Sequence, residues 1–147
     1  MILNGPEFRR KLMKAEVEVD DLSLRFQKRI ALEAIKRVVA RTPVDTGRAR
    51  GGWQMARGQG NEADIGSVDI IGSATVGTAL SILNRITIPF GLITVFNNVE
   101  YITFLEEGSS IQAPLGMVAI TLIELEAIAS AAGFGQQFQF SAEVNAP

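Results

Sequence analysis

Apolar residues recur through the first part of the chain at alternating steps of four and three: Phe8, Leu12, Ala15, Val19, Leu22 and Phe26, continued by Ile30, Ala34, Ile35 and Val38. On a 3.6-residue period this spacing keeps a single apolar stripe, so it predicts a long amphipathic helix. Pro6 suits the first turn and Thr42-Pro43 the end, because proline fits an opening turn and restrains the residue before it. Between them Ala15, Val17 and Val19 alternate with Glu16, Glu18 and Asp20, a strand-like rhythm, and Asp20 or Asp21 suits a fresh helix cap. The expectation is helix on both sides with a break near Val17 to Asp21.

The rhythm then changes. After the turn residues Pro43, Val44, Asp45, Thr46 and Gly47, the positions Ala49, Gly51, Trp53 and Met55 share one parity and Arg48, Arg50 and Gln54 the other, which predicts a two-sided strand. Residues 57 to 77, rich in Gly, Ser, Asn and Asp, read as a long loop. A short helix is expected over Thr78 to Arg85, and an apolar strand, central or shared with a neighbour, over Leu92 to Phe96. Asn97 and Asn98 end that strand. Tyr101 to Glu107 predicts a helical turn closed by Gly108, a residue free to take left-handed geometry. Leu115 to Ala131 predicts a second helix, apolar around most of its circumference and therefore needing cover on several sides. In the tail, 132–147, Phe138 and Phe140 alternate with Gln137 and Gln139, which suits an arm that adds a strand to a sheet edge in its own subunit or in a partner. The pattern as a whole is α+β: a long N-terminal amphipathic helix and a second helix packed on a small, mostly antiparallel sheet, in one domain spanning 1–147.

Composition removes most chemistry. The chain has 147 residues, 47% of them hydrophobic, with no cysteine and no histidine. That is one domain's worth of core without thiolate nucleophiles, histidine-based triads or the usual ligands for zinc, copper or haem. Asp64 and Asp69 lack the spacing of a calcium loop. Gly58-Gln59-Gly60 lacks the later glycine of a dinucleotide site, and no phosphate-loop lysine follows any glycine cluster. Glu106 and Glu107 are adjacent, so on a helix they point apart and make a poor acid/base pair. No enzymatic activity, cofactor or metal is expected. The amino terminus has charges where a signal peptide needs its apolar core, and the uncharged run from Ala113 to Ile123 is too short to span a bilayer, so a soluble, intracellular protein without a membrane partner is expected.

Charge is divided along the chain. Residues 1–57 hold thirteen Lys or Arg and seven Asp or Glu, for +6, and residues 58–147 hold one Arg and nine acids, for −8, which together give −2. Such polarity suits head-to-tail contact between copies, nucleic-acid contact by the basic part, or simply the solvated face of one helix.

Two segments concentrate turn formers beside aromatic and charged residues: RTPVDTGRARGGW from Arg41 to Trp53 and NNVEYITFLEEGSSIQAPLGMV from Asn97 to Val118. In the first, Pro43 stops a helix, Asp45 or Thr46 can bond backbone amides, Gly47 allows a reversal, and Arg48 and Arg50 leave on one face. Trp53 reads as core. In the second, a salt bridge from Glu106 to Arg48 or Arg50, within the chain or across subunits, would fix the two turns relative to each other. Arg48, Arg50, Glu106, Glu107, Phe138 and Phe140 are the candidate subunit or partner interface. Pro43, Asp45, Thr46, Gly47, Trp53, Asn97, Asn98, Tyr101, Gly108, Pro114 and Gly116 are the candidate structural motif.

The wording of these blocks resembles the tail-completion, or neck, family of long-tailed bacteriophages. That family's pattern is similar to T-P-V-D-T-G-R, then N-N, then Tyr, then Glu-x-Gly, then Ala-Pro-x-Gly-Met. Here these positions are Thr42 to Arg48, Asn97 and Asn98, Tyr101, Glu106 with Gly108, and Ala113 to Met117. The resemblance implies a homo-oligomeric subunit, often a six-fold ring, in the virion at the head-tail junction and assembled in the bacterial cytoplasm. Its partners would be the tail tube protein and the capsid connector or adaptor proteins, with phage DNA passing through the channel without sequence-specific binding. A connector adaptor or other minor tail protein is the nearest alternative, and a DNA-binding protein the next.

Overall fold

The computed structural model describes residues 5–135 and 138–140. Helix α1 (Gly5–Arg41) runs for 37 residues without interruption. The expected break near Val17 to Asp21 is absent, because no proline or glycine follows Pro6 until Pro43 and six alternating residues do not outweigh the helical period around them.

Past Pro43 the chain turns at Gly47, with φ +86°, into a single helical turn, α2 (Arg48–Gly51), before strand β1 (Trp53–Arg57). The strand expected from Ala49 therefore starts four residues later. Amide-to-carbonyl bonds from Gly51 to Gly47 and from Gly52 to Arg48, both 2.9 Å, close the turn first. Helix α3 (Ser73–Asn84) starts five residues before the expected position. Strand β2 (Ile93–Asn97) pairs antiparallel with β1 in a two-stranded sheet, Trp53 opposite Asn97 and Met55 opposite Val95. A short helix α4 (Ile102–Glu106) and the 14-residue helix α5 (Val118–Ala131) complete the order. This is an α+β fold.

Two apolar clusters share α1. The larger joins Ile35, Val38 and Val39 of α1 to Trp53, Met55, Ala79, Leu83, Ala113 and Met117. The smaller joins Phe26 and Ile30 to Leu125 and Ala129 of α5, with Phe134, Phe138 and Phe140 packed against it. Phe26 stacks on Phe134 with ring centroids 4.2 Å apart. Phe138 and Phe140 thus fold back onto their own subunit's core and form no strand, because the aromatic rings find α1 close at hand; the rest of the expected arm, 136–137 and 141–147, lies outside the described residues.

Gly108 ends α4 at φ +86°, and a Cβ there would lie 2.3 Å from the carbonyl oxygen of Pro114. Gly58 has nearly the same φ, +84°, with open space around it. Gly108→Ala is therefore expected to cost about 2 to 3 kcal/mol and Gly58→Ala about 1 kcal/mol, since only the first adds a clash to the left-handed strain. Urea unfolding midpoints check the difference.

Candidate assembly surface

The two sequence blocks fold against each other. From the first, Thr42 is buried and its hydroxyl donates to the Val38 carbonyl at 2.6 Å while accepting the Trp53 indole N–H at 2.7 Å. From the second, the Gln112 side chain treats Val44 as a strand partner would, accepting its amide at 3.0 Å and donating to its carbonyl at 3.3 Å. Asn97 donates to the Ala49 carbonyl at 2.8 Å and accepts the Val99 amide at 3.0 Å. Gly52 is required here, because a Cβ would sit 2.5 Å from Val99 and 2.7 Å from the Asn97 amide oxygen.

The long segment after β1 is pinned to this junction. Arg48 donates to Asp64 at 2.5 Å, the Asp69 amide donates to the Gly47 carbonyl at 3.0 Å, and Asn98 donates to the carbonyls of Asn61 and Ala63 at 2.6 and 2.9 Å. The Gly66 amide and then Arg48 hold the Asp64 carboxyl below its ordinary pKa, while Asp64 raises that of Arg48. Thr46 takes the turn role, its hydroxyl accepting the Arg48 amide at 3.4 Å, and Asp45 is exposed.

The expected ion pair between Glu106 and Arg48 or Arg50 does not form within the chain, because all three are engaged elsewhere. Glu106 closes the start of α5, accepting the amides of Met117, Val118 and Ala119 at 2.7, 2.8 and 2.9 Å. Arg50 donates to the carbonyls of Ile70, Thr42 and Ala40 at 2.7, 3.0 and 3.4 Å, at the C-terminal end of α1 where a cation also suits the helix dipole. Glu107 is exposed.

Basic and acidic parts of the chain meet in part along α1 and α5. Glu124 bonds both Arg41, at 2.6 Å, and Arg37, and Arg41 also reaches the Thr121 hydroxyl at 2.8 Å. The hydrogen bond from Arg41, then that from Arg37, lowers the Glu124 pKa against the opposing effect of desolvation. This uses arginines that a nucleic-acid surface would need free.

Asp69 does for α3 what Glu106 does for α5. It accepts the Gly72 amide at 2.7 Å and the Thr75 amide and hydroxyl, both at 2.8 Å. Desolvation pushes its pKa up, but these bonds outweigh it and the net shift is downward. Its contribution is therefore complete above the unfolded-state value of about 3.9 and is lost as pH falls through the lower folded value. Asp69→Asn is expected to be less stable than wild type at pH 7, with the gap narrowing as pH falls below about 4; urea midpoints across pH 2 to 7 measure it.

Around this junction apolar side chains face solvent. In the second block Ile111 is 97% exposed and Leu115 72%, beside exposed Phe104 and Tyr101; in the segment pinned on the first block Ile71 is 82% exposed, with Ile65, Val68 and Ile70 also outward. Isolated exposed apolar residues are ordinary; here eight fall on the two segments that lock together, which makes these segments the candidate contact surface. Sequence reasoning looked to charges and the tail for the interface and passed over these residues; the available signal was apolar residues set among turn formers, as at Ile111 between Ser110 and Gln112.

Among the described residues no three potential ligands cluster to hold a metal ion, and no helix is long and apolar enough to cross a membrane. In comparisons with known proteins the chain matches no family model, no curated protein and no solved structure.

Proposed function

We propose that this protein is a structural subunit of the head-tail junction of a long-tailed bacteriophage, assembling as a ring that terminates the tail tube and joins it to the capsid connector. The observation that carries the reading is that the two blocks resembling the tail-completion family form one locked unit, through Gln112 on Val44 and Asn97 on Ala49, with exposed Phe104, Ile111, Leu115 and Ile71 around it. Turn-forming residues in that unit set a shape, and the apolar side chains offer neighbours a surface to cover. In this role the protein is not an enzyme, and DNA passes through the ring without being read.

Deleting the gene from its phage or prophage and imaging the particles tests the role. Full heads separate from tails, with tails of uncontrolled length, are expected. Separate heads and tails of normal length would move the protein to a connector adaptor, and intact joined particles would overturn the reading altogether.

A further inference from the structure

Helix α1 outruns the body it supports. Its 37 residues extend about 55 Å at 1.5 Å per residue. Helix α5 lies antiparallel along its C-terminal half, with Thr121 at Arg41 and Phe134 on Phe26. Ser23 is still buried, at 2% exposure, and there the cover stops: Leu22, Val19 and Met13 are 57, 59 and 60% exposed. The four-three spacing that places Phe26 in the core continues back through Leu22 and Val19, so the same seam runs off the body without a partner. Apolar side chains left uncovered at the end of a helix do little to hold it together in water.

Charge identifies the partner. Residues 5–14 hold Glu7 against Arg9, Arg10, Lys11 and Lys14, for +3; residues 15–22 hold Glu16, Glu18, Asp20 and Asp21, for −4. Arg9, Arg10 and Lys14 are exposed at one end, and Glu18, Asp20 and Asp21 at the other. We propose that the projecting arm of α1 pairs with the same arm of a second copy, antiparallel, about a two-fold axis near residue 15. In that arrangement the seam of Val19 and Leu22 is covered, and the charged positions that flank it on the helix, Arg9 and Lys11 at one end and Glu16 and Glu18 at the other, lie along the partner's opposite charges, with the remaining charges of each end adding at longer range. A parallel pair sets like charges on like, and nucleic acid is repelled by the acidic half. The contact is isologous and uses none of the residues at the junction of the two blocks, so it stands independently of the ring.

The test uses the full chain in sedimentation equilibrium at low and high salt. Wild type is expected to associate in a salt-sensitive manner. The triple variants R9E/R10E/K14E and E18K/D20K/D21K are each expected to associate about tenfold or more weakly, and an equimolar mixture of the two to recover association. Trp53 fluorescence confirms that the body of each is folded. Because the chain has no cysteine, F8C and L22C copies, both on the seam and opposite each other about residue 15, report direction: a disulfide across the mixture and none within either variant alone is expected. Association unchanged in both triple variants, no recovery on mixing, or self-crosslinking of the single-cysteine variants would overturn the proposal.

Discussion

Replacing Trp53 by alanine is expected to remove about 3 to 5 kcal/mol of stability, the usual range for emptying a large aromatic site in a core. Trp53 is 5% exposed and touches the cluster built by Ile35, Val38 and Val39, so its removal opens a void that α1, β1 and α3 all line. The indole also carries the hydrogen bond to Thr42, whose hydroxyl is bonded in turn to Val38. Trp53→Phe keeps most of the volume and loses that bond, so a smaller cost of about 1 to 2 kcal/mol is expected. Thermal unfolding followed by far-UV circular dichroism compares the three proteins, since the chain has one tryptophan and the variants lack it. A Trp53→Ala midpoint close to wild type would mean that the side chain serves a contact outside the fold.

Glu106→Ala is expected to cost about 2 to 3 kcal/mol, because three amides at the start of α5 lose their acceptor together and one end of the helix dipole loses its counter-charge. Glu106→Gln retains one oxygen and is expected to fall between wild type and alanine. The neighbouring Glu107→Ala, at an exposed position, is expected to change stability by no more than about 0.5 kcal/mol. Urea unfolding monitored by Trp53 fluorescence separates these outcomes. Equal effects of the two substitutions would remove Glu106 from its helix-starting role and return it to the interface.

The contrast between these neighbours shows where sequence reasoning stops. Patterns with a local cause were legible: the long period of α1, the strand ending at Asn97, and the left-handed Gly108. Elements decided at a distance were not. Helix α5 starts at Val118 because Gly116 holds φ +77° and Glu106, about ten residues earlier, supplies the acceptors; no short motif spans that gap. Helix α3 starts at Ser73 because Asp69 reaches Gly72 and Thr75, a signal present in the sequence as an aspartate before Gly72 but obscured by the surrounding loop-like composition. The four residues of α2, with arginines and a glycine, have no helical period to read. For the candidate surface, the sequence reading placed Arg50 and Glu106 outward, and both are turned inward onto backbone groups.

One helix touching both cores also has a mechanical meaning. The body grips α1 from Ser23 to Arg41, and the remaining part toward Gly5 continues the helix for about 27 Å, at 1.5 Å per residue, a rod once a partner covers it. A tilt of about 5° at the grip moves the free tip by about 2 Å, about half a side-chain contact distance, with no bond in the helix broken. Strain applied at the tip reaches Val38, Val39 and Thr42, where the first block begins, along an unbroken ladder of backbone hydrogen bonds. A helix held in this way has the geometry of a lever, with the aromatic cluster around Phe26 where its support begins.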